Sequence, residues 1–296
     1  MRLTDNIMGA ALMTGCVLAY VVNDALMKLL FAEMALFQAV FLRGLMTIPL
    51  LCLMVWRSKV ATRGLSRQNK RLVTLRVGAE ICATIAFLTA LKHMPLANVT
   101  AILQALPLAV TMAAALFLAE LVGWRRWSAI IIGFMGVLIV IRPGLAGFNI
   151  YSLSALVAVA FITLREITTR RLTSDVPSLT VALSTATGIT LFAAVMMANT
   201  EWRAVDSLSW LLLAGAAVAI LFGTLFSVMA MRVGEISFVA PFRYTAMVWA
   251  IGLGIMMFGD WPDQLTLIGT GIIIGTGIYS FHREQQRRRM AETRSD

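Results

Sequence analysis

Eight ionisable side chains lie within long apolar runs of this sequence, and their chemistry raises the first question about it. They are Asp24, Lys28, Arg43, Arg76, Glu80, Arg165, Glu166 and Arg243. A charge at the centre of a bilayer costs about 2.5–3.5 kcal/mol on insertion scales, so such residues face a polar interior rather than lipid. There they bind a polar solute, form ion pairs that open and close, or carry protons.

Three acid–base pairs at or beside these positions are spaced four residues apart, which allows a bond within one helix. The pairs are Asp24/Lys28, Arg76/Glu80 and Glu166/Arg170. Lys28, Arg76 and Arg170 also lie near enough to helix ends to extend to the membrane surface, so a structural role is the simpler interpretation for them. Arg43 and Arg243 have no such partner and lie deeper, which favours a role in substrate binding or gating.

The depths of these residues, estimated at about 1.5 Å per residue, separate them into two polar layers. The layer toward one face contains Asp24, Arg43 and Gln104, and the layer toward the other contains Glu80, Arg165, Glu166 and Arg243. Asp24, Glu80 and Glu166 are therefore candidate partners of Arg43 and Arg243 in gates, or candidate proton carriers.

Prolines within the apolar runs mark places where a helix loses a backbone hydrogen bond. Pro107 follows Gln104, and Pro241 precedes Arg243 and Tyr244. Freed carbonyl groups beside polar side chains indicate a substrate cavity, with a simple packing kink as the alternative. Pro49 is a third such position.

The composition of the chain requires a membrane around these charges. Of 296 residues, 59% are hydrophobic and 14% are charged, and the mean hydropathy is +0.84. These values exclude a disordered chain, a coiled coil and a disulfide-rich scaffold. A soluble chain of about 300 residues has too little interior to bury so much apolar surface.

Residues suited to catalysis or cofactor binding are scarce. Cys16, Cys52 and Cys82 lie in apolar runs without metal-ligand spacing, and His93 and His282 have no neighbouring cluster of Cys, Asp or Glu. The sequence also lacks the Gly-x-x-x-x-Gly-Lys-Ser/Thr pattern of an ATP-binding loop. We therefore expect no cofactor, no metal site and no enzymatic activity.

Runs of about 20 mostly apolar residues, the length that crosses the hydrocarbon core, predict an all-α integral membrane protein with ten transmembrane helices. The predicted spans are 7–30, 35–56, 72–91, 96–118, 127–141, 151–169, 179–198, 209–231, 237–258 and 264–281. Glycines of the fifth and tenth spans predict close helix packing or a homodimer face. They are Gly133, Gly136, Gly269, Gly271, Gly275 and Gly277.

Basic residues in the connections predict the orientation of these spans. With the N-terminus inside, the outer loops contain Lys92, Arg142 and Arg203, whereas most other basic residues fall in inner segments and in a basic tail, 283–296. We therefore expect both termini in the cytoplasm. This asymmetry and anionic lipid headgroups explain the net charge of +10 without a nucleic-acid partner.

The two halves of the sequence align with each other. A shift of 142 residues places Asn23-Asp24-x-x-x-Lys28 on Arg165-Glu166-x-x-x-Arg170, and a shift of 140 places Glu120 on Asp260. The alignment predicts one five-helix repeat over 7–142 and a second over 149–282. Because five is odd, the second copy enters the membrane from the opposite face, which gives inverted repeats typical of secondary transporters.

Several motifs resemble the EamA family of the drug/metabolite transporter superfamily. They are the segment from Pro95 to Pro107 (PLANVTAILQALP), Phe117-Leu-Ala-Glu120, Trp124-Arg-Arg-Trp127, Gly133-x-x-Gly136, and in the second half Gly234-Glu-Ile-Ser-Phe-Val-Ala-Pro-Phe-Arg-Tyr244 and Phe258-Gly-Asp260, with Asp260 where Glu is more usual. The resemblance implies ten helices in two inverted repeats, cytoplasmic termini and a central cavity. It also implies that the fourth and ninth helices form part of the cavity wall, here through Gln104, Arg243 and Tyr244.

Members of that family move amino acids, S-adenosylmethionine, riboflavin, metallophores and other small organic molecules. The segments Asn23–Lys28 and Phe41–Gly44 look most like members that take up vitamins and metabolites, so riboflavin is the first expected substrate and S-adenosylmethionine the second. The candidate substrate-binding or gating residues are Asp24, Arg43, Glu80, Gln104, Arg165, Glu166, Arg243 and Tyr244.

The sequence thus predicts a transporter that works by alternating access, with a small-molecule substrate and the lipid bilayer as its partners and a homodimer left open. A membrane enzyme is the first rival, but it needs a clustered nucleophile, base or metal site. A non-transporting scaffold is the second, and the two layers of buried charge argue against it.

Overall fold

The computed structural model describes residues 3–57, 66–118, 122–144, 148–173, 176–198, 201–233 and 236–295. All regular structure in these residues is helical. Within them, ten helical segments are long and apolar enough to cross a membrane, from Asp5–Glu33 to Gln264–Arg283. The ten predicted spans are confirmed, with ends that differ from the predicted ones by a few residues.

The described residues contain twelve α-helices. They are α1 (Leu3–Glu33), α2 (Leu36–Arg57), α3 (Arg67–His93), α4 (Leu96–Leu103), α5 (Leu106–Phe117), α6 (Trp124–Ile141), α7 (Tyr151–Arg170), α8 (Ser178–Met197), α9 (Ser207–Val233), α10 (Ile236–Val239), α11 (Ala246–Leu253) and α12 (Gln264–Ser295). The tail predicted at 283–296 therefore continues the last helix as far as Ser295. Glu120, which was aligned with Asp260, lies outside the described residues.

The fourth and ninth spans are interrupted where proline meets polar sequence. Pro107 occupies the first turn of α5, just after the break at Gln104. Pro241 is the second residue of a 3₁₀ helix, Ala240–Thr245, which joins α10 to α11, and a π-helix, Gly254–Phe258, ends the ninth span. Pro49, by contrast, lies inside an unbroken α2. The predicted loosening thus occurs at Pro107, in the middle of the fourth span, and at Pro241, near the start of the ninth span.

Four helix pairs make the most extensive contacts of the bundle: α1 with α9, α3 with α7, α2 with α8, and α6 with α12. One apolar cluster centres on Met27 and Leu30 of α1 with Leu213 of α9. A second joins Ile102 of α4 to Val137 of α6 and to neighbouring helices. The packing therefore joins helices of the first half of the chain to helices of the second.

The pair α6 and α12 is held close by glycine. A Cβ atom added to Gly136 would lie 2.9 Å from the carbonyl oxygen of Gly269, and one added to Gly269 would lie 2.6 Å from that of Gly136. By contrast, a Cβ atom at Gly271 or Gly275 would meet no atom of the described residues within 4 Å. Close packing of α6 against α12 is thus confirmed at Gly136 and Gly269. Gly271 and Gly275, by contrast, are exposed on the surface of α12.

Alanine at Gly136 should lower the stability of the protein, whereas alanine at Gly271 should leave it unchanged or raise it. Overpacking a close contact typically costs about 1–3 kcal/mol, but Gly to Ala in an open helix position gains about 0.5–1 kcal/mol. Thermal denaturation of the purified protein in detergent measures both. Equal melting temperatures for the two variants would show that α6 and α12 are not in close contact.

Candidate functional site

One polar cluster joins α3 to α7. Arg165 donates through Nη1 to the two carboxylate oxygens of Glu80, at 3.0 and 2.8 Å, and through Nη2 to Oε1 of Glu166, at 2.6 Å. The side chains of Arg165 and Glu80 are 22% and 19% exposed. Glu80 therefore pairs across two helices rather than with Arg76 on its own helix.

Arg76 bonds to hydroxyl groups instead of to Glu80. Its Nε donates to Thr169 Oγ1 at 2.9 Å and its Nη1 to Thr185 Oγ1 at 2.5 Å, which ties α3 to α7 and α8. The sequence did not single out either threonine. A threonine within an apolar run has an ordinary alternative partner in the carbonyl four residues earlier, so its side chain gives no distinct signal.

A second polar cluster joins α1 to α2. The amide of Asn23 donates from Nδ2 to Asp24 Oδ1 at 2.9 Å, and its Oδ1 accepts from Arg43 Nη1 at 3.0 Å. Arg43 and Asn23 are buried. Asp24 and Arg43, predicted at one depth, thus meet through a residue that was not among the predicted site residues. The sequence feature that could have identified Asn23 is a single amide next to a carboxylate within an apolar helix.

Gln104 belongs to neither cluster. Its Nε2 donates to the backbone oxygen of Tyr244 at 3.0 Å, which joins the break between α4 and α5 to the 3₁₀ helix of the ninth span. The ring of Tyr244 packs against Gly277 of α12. Its hydroxyl is buried and has no hydrogen bond among the described residues. The two interruptions predicted to form a cavity wall therefore touch each other directly.

A cavity of about 140 Å³ lies beside the cluster of Arg165, between α5, α7, α12 and the 3₁₀ helix. The residues that line it are Leu106, Pro107, Leu108, Val110, Thr111, Glu166, Arg170, Arg243, Gly277, Ser280 and Phe281. Arg243 is exposed here, and its charge interacts with Glu166. This wall therefore presents both signs of charge to any solute that enters.

The cavity reaches the level of Arg170 and Phe281, near the ends of α7 and of the tenth span. We call this end of the bundle the inner face, after the orientation that the basic residues predict. The opposite end, where α1 ends at Glu33 and α3 ends at His93, is the outer face.

Polar contacts join neighbouring elements at the outer face, among them those of Lys28, Gln38 and Arg142. Lys28 Nζ donates to the backbone oxygens of Leu91 and Met94, and it lies 5.3 Å from the centre of the Phe258 ring. The other two contacts join Gln38 to both backbone groups of Arg203, and Arg142 to Asp263. Lys28 therefore does not form the intrahelical pair with Asp24 that its spacing allowed.

Asp263 lies outside the membrane spans and is charged at neutral pH. Burial raises the pKa of this carboxyl group, but the backbone N–H of Thr266 and the guanidinium of Arg142 outweigh burial. The pKa of Asp263 is therefore below its usual value of 3.8. Its ion pair with Arg142 links the end of α6 to the start of α12 at the outer face.

Taken together, the eight predicted site residues form three groups rather than one site. They are Glu80, Arg165 and Glu166, with Arg243 beside them across the cavity; Asp24 and Arg43; and Gln104 and Tyr244. The described residues thus combine polar contacts between helices at the outer face with a charged cavity in the inner half.

Known proteins resemble this chain in sequence and in fold. A riboflavin transporter from Vibrio cholerae is 31% identical over 203 residues, which cover 68% of this chain and 67% of that protein. A pseudopaline exporter from Pseudomonas aeruginosa is 25% identical over 259 residues, 86% of this chain and 88% of that protein. An S-adenosylmethionine uptake transporter from Rickettsia prowazekii is 23% identical over 266 residues, 90% of this chain and 89% of that protein.

The fold likeness extends over nearly the whole chain. A solved crystal structure aligns with 97% of this chain and 99% of its own, with a TM-score of 0.62 and 17% sequence identity, which shows a similar fold alone. Residues 7–142 match the EamA-like transporter family. With this match and with relatives that are themselves transporters, the chain belongs to the EamA-like transporter family of multi-pass membrane proteins.

Proposed function

We propose that this protein is a secondary transporter that moves a small organic metabolite across the bacterial inner membrane by alternating access. The observation that carries the proposal is the contrast between the two ends of the bundle. Polar contacts of Lys28, Gln38 and Arg142 join helices at the outer face, while the charged cavity lies in the inner half. A transporter that is closed on one side and has its polar site nearer the other would have such an arrangement.

The helix pairing supports two inverted repeats, 7–142 and 149–282. Two inverted repeats would make the first span equivalent to the sixth and the third span equivalent to the eighth. The contact of α1 with α9 would then be equivalent to the contact of α7 with α3. Both pairs are among the most extensive contacts. The pairs α2/α8 and α6/α12 map onto themselves under the same exchange. Such symmetry lets one fold adopt two conformations of similar energy, each open to one side.

The substrate site in this proposal lies between the two polar clusters. Arg243 binds an anionic or electron-rich group, and Glu166 binds a donor or cationic group on the same molecule. Gln104 and Tyr244 form the wall where the fourth and ninth spans meet. Asp24 and Arg43, held through Asn23, supply the polar layer toward the outer face.

Riboflavin is the substrate we propose first, because the riboflavin transporter of Vibrio cholerae has 31% identity, against 23% for the S-adenosylmethionine transporter. S-adenosylmethionine, an amino acid or another metabolite is the alternative. The relatives named for uptake favour import as the direction. The pseudopaline exporter, at 25% identity, makes export the competing outcome of the test.

Reconstitution in liposomes tests the proposal. Purified protein should accelerate riboflavin entry into the vesicles above protein-free vesicles, and excess unlabelled substrate should compete. The same vesicles are then assayed with S-adenosylmethionine and a panel of amino acids and other vitamins. Absence of flux for every compound, with protein that remains folded, would count against a transporter of these substrates. Growth rescue of a riboflavin auxotroph that lacks its own importer supplies an independent readout.

The proposed topology has a separate test. Cysteines placed between residues 143 and 150 should react with an impermeant reagent from outside the cell, whereas one at residue 290 should react only after the membrane is opened. Labelling of both from the same side would contradict the inverted repeats.

A further inference from the structure

Lys28 connects three separate elements at the outer face. Its ammonium group donates to the backbone oxygen of Leu91 at 3.2 Å and to that of Met94. It also lies over the ring of Phe258, which ends the π-helix of the ninth span. The charge of Asp260 acts on it as well. One side chain of α1 therefore contacts both the junction of α3 with α4 and the end of the ninth span.

The backbone at this junction needs such a partner. The last carbonyl groups of α3 have no N–H partner within the helix. After Met94 comes Pro95, which has no N–H to offer. A cation at a helix C-terminus is stabilised by the helix dipole and by the free carbonyls. In a bilayer the alternative to this bond is an unpaired carbonyl or water, so breaking it requires that the outer end become wet.

We propose that Lys28 is the latch of the outer face: its bond to the end of α3 holds this face closed, and its release opens the substrate pathway to the outside. The inference rests on the proposed transport function, because it assigns the closed outer face to one step of alternating access. The ninth span, whose last residue Phe258 lies over Lys28, contains 3₁₀ and π-helical segments. These irregular segments allow the ninth span to move when the latch opens.

The inverted halves provide an equivalent cation for the inner face. Arg170 occupies the position that matches Lys28, and it lines the inner cavity. The helix that matches α3 is α9, which has the same length and ends at Val233. In the conformation that is closed inside, Arg170 donates to the carbonyl groups at that end of α9, as Lys28 does at the end of α3.

Spin-label distances across the latch test this proposal. Two labels are placed in a cysteine-free background at Glu33 and Lys92, both exposed, at the outer ends of α1 and α3. Double electron–electron resonance in nanodiscs then gives the distance distribution. Lys28→Met, which keeps the length of the side chain without its charge, should raise the ratio of long to short distances about tenfold. Lys28→Arg should retain the distribution of the parent.

The double variant Lys28→Met/Arg170→Met tests the equivalence of the two cations. Loss of both latches should bring the distribution back toward that of the parent. An unchanged distribution in Lys28→Met, even with a lower melting temperature, would make Lys28 a structural cap only and would overturn the latch. A double variant identical to Lys28→Met would overturn the assignment of Arg170.

Different results would contradict the latch and the proposed transport function. Flux through the parent protein together with an unmoved distance in Lys28→Met would overturn the latch and keep the transporter. A distance that shifts as expected, without flux of any compound of the panel through the parent, would keep the latch and contradict the proposed function.

Discussion

Replacing Arg165 with leucine should sharply reduce the amount of folded protein. The change leaves the carboxylates of Glu80 and Glu166 without their shared cation between α3 and α7. Removal of one partner from a buried ion pair typically costs about 3–5 kcal/mol, against a total folding free energy of about 5–15 kcal/mol. The exposed fraction of these side chains places the expected loss at the lower end of that range. Detergent-solubilised yield and thermal denaturation provide the measurement.

Two control variants separate charge from packing at this position. Arg165→Lys keeps a cation near both carboxylates and should recover most of the stability. Arg165→Leu combined with Glu80→Gln and Glu166→Gln removes the uncompensated charges and should be more stable than Arg165→Leu alone. A melting temperature of Arg165→Leu equal to that of the parent would mean that the cluster does not stabilise the contact between α3 and α7.

Arg243→Ala should abolish most transport while the protein remains folded. Arg243 is exposed in the cavity and has no hydrogen bond in the part of the chain that the structure describes, so its loss breaks no bond of that part. A hydrogen bond from a charged group contributes about 1.5–3 kcal/mol, which corresponds to a decrease in flux of between about 10- and 100-fold. Initial rates in liposomes, compared at equal amounts of folded protein, measure the effect.

Arg43 provides the contrast for this prediction. It is buried, and it donates to Asn23, which in turn donates to Asp24. Arg43→Ala should therefore lower the melting temperature as well as the flux. Tyr244→Phe, which removes a hydroxyl group that has no partner in the described structure, should change the stability little. Normal flux through Arg243→Ala would remove Arg243 from the proposed substrate site.

The ten spans were predictable because a membrane span is a local property. About 20 apolar residues in a row meet the requirement of the bilayer wherever the helix later packs. Breaks near Gln104 and Pro241 were predictable for the same reason, since proline acts on its own helix. Six of the eight candidate site residues were proposed as charges in apolar sequence, which is again a local feature. Gln104 and Tyr244 were proposed from their positions beside proline and from the family resemblance.

The partners of these charges were not predictable, because they depend on which spans become neighbours. Glu80 had an arginine four residues away, yet its partner is Arg165 on α7. Lys28 had Asp24 one turn earlier, yet it bonds to backbone oxygens of α3 and its junction. Backbone acceptors have no side-chain signature, so no pattern of residue types could identify them.

The hydrogen bond from Gln104 to the backbone of Tyr244 joins positions that a shift of 140 residues superimposes. If the halves form the inverted repeats proposed above, a contact between equivalent points lies on the axis that relates them, and exchange of their roles leaves it in place. The centre of the protein would then act as a fixed pivot, with displacements that grow with distance from it. An inhibitor that binds between the helix ends at either surface should consequently block the transport cycle more effectively than one that binds at the centre.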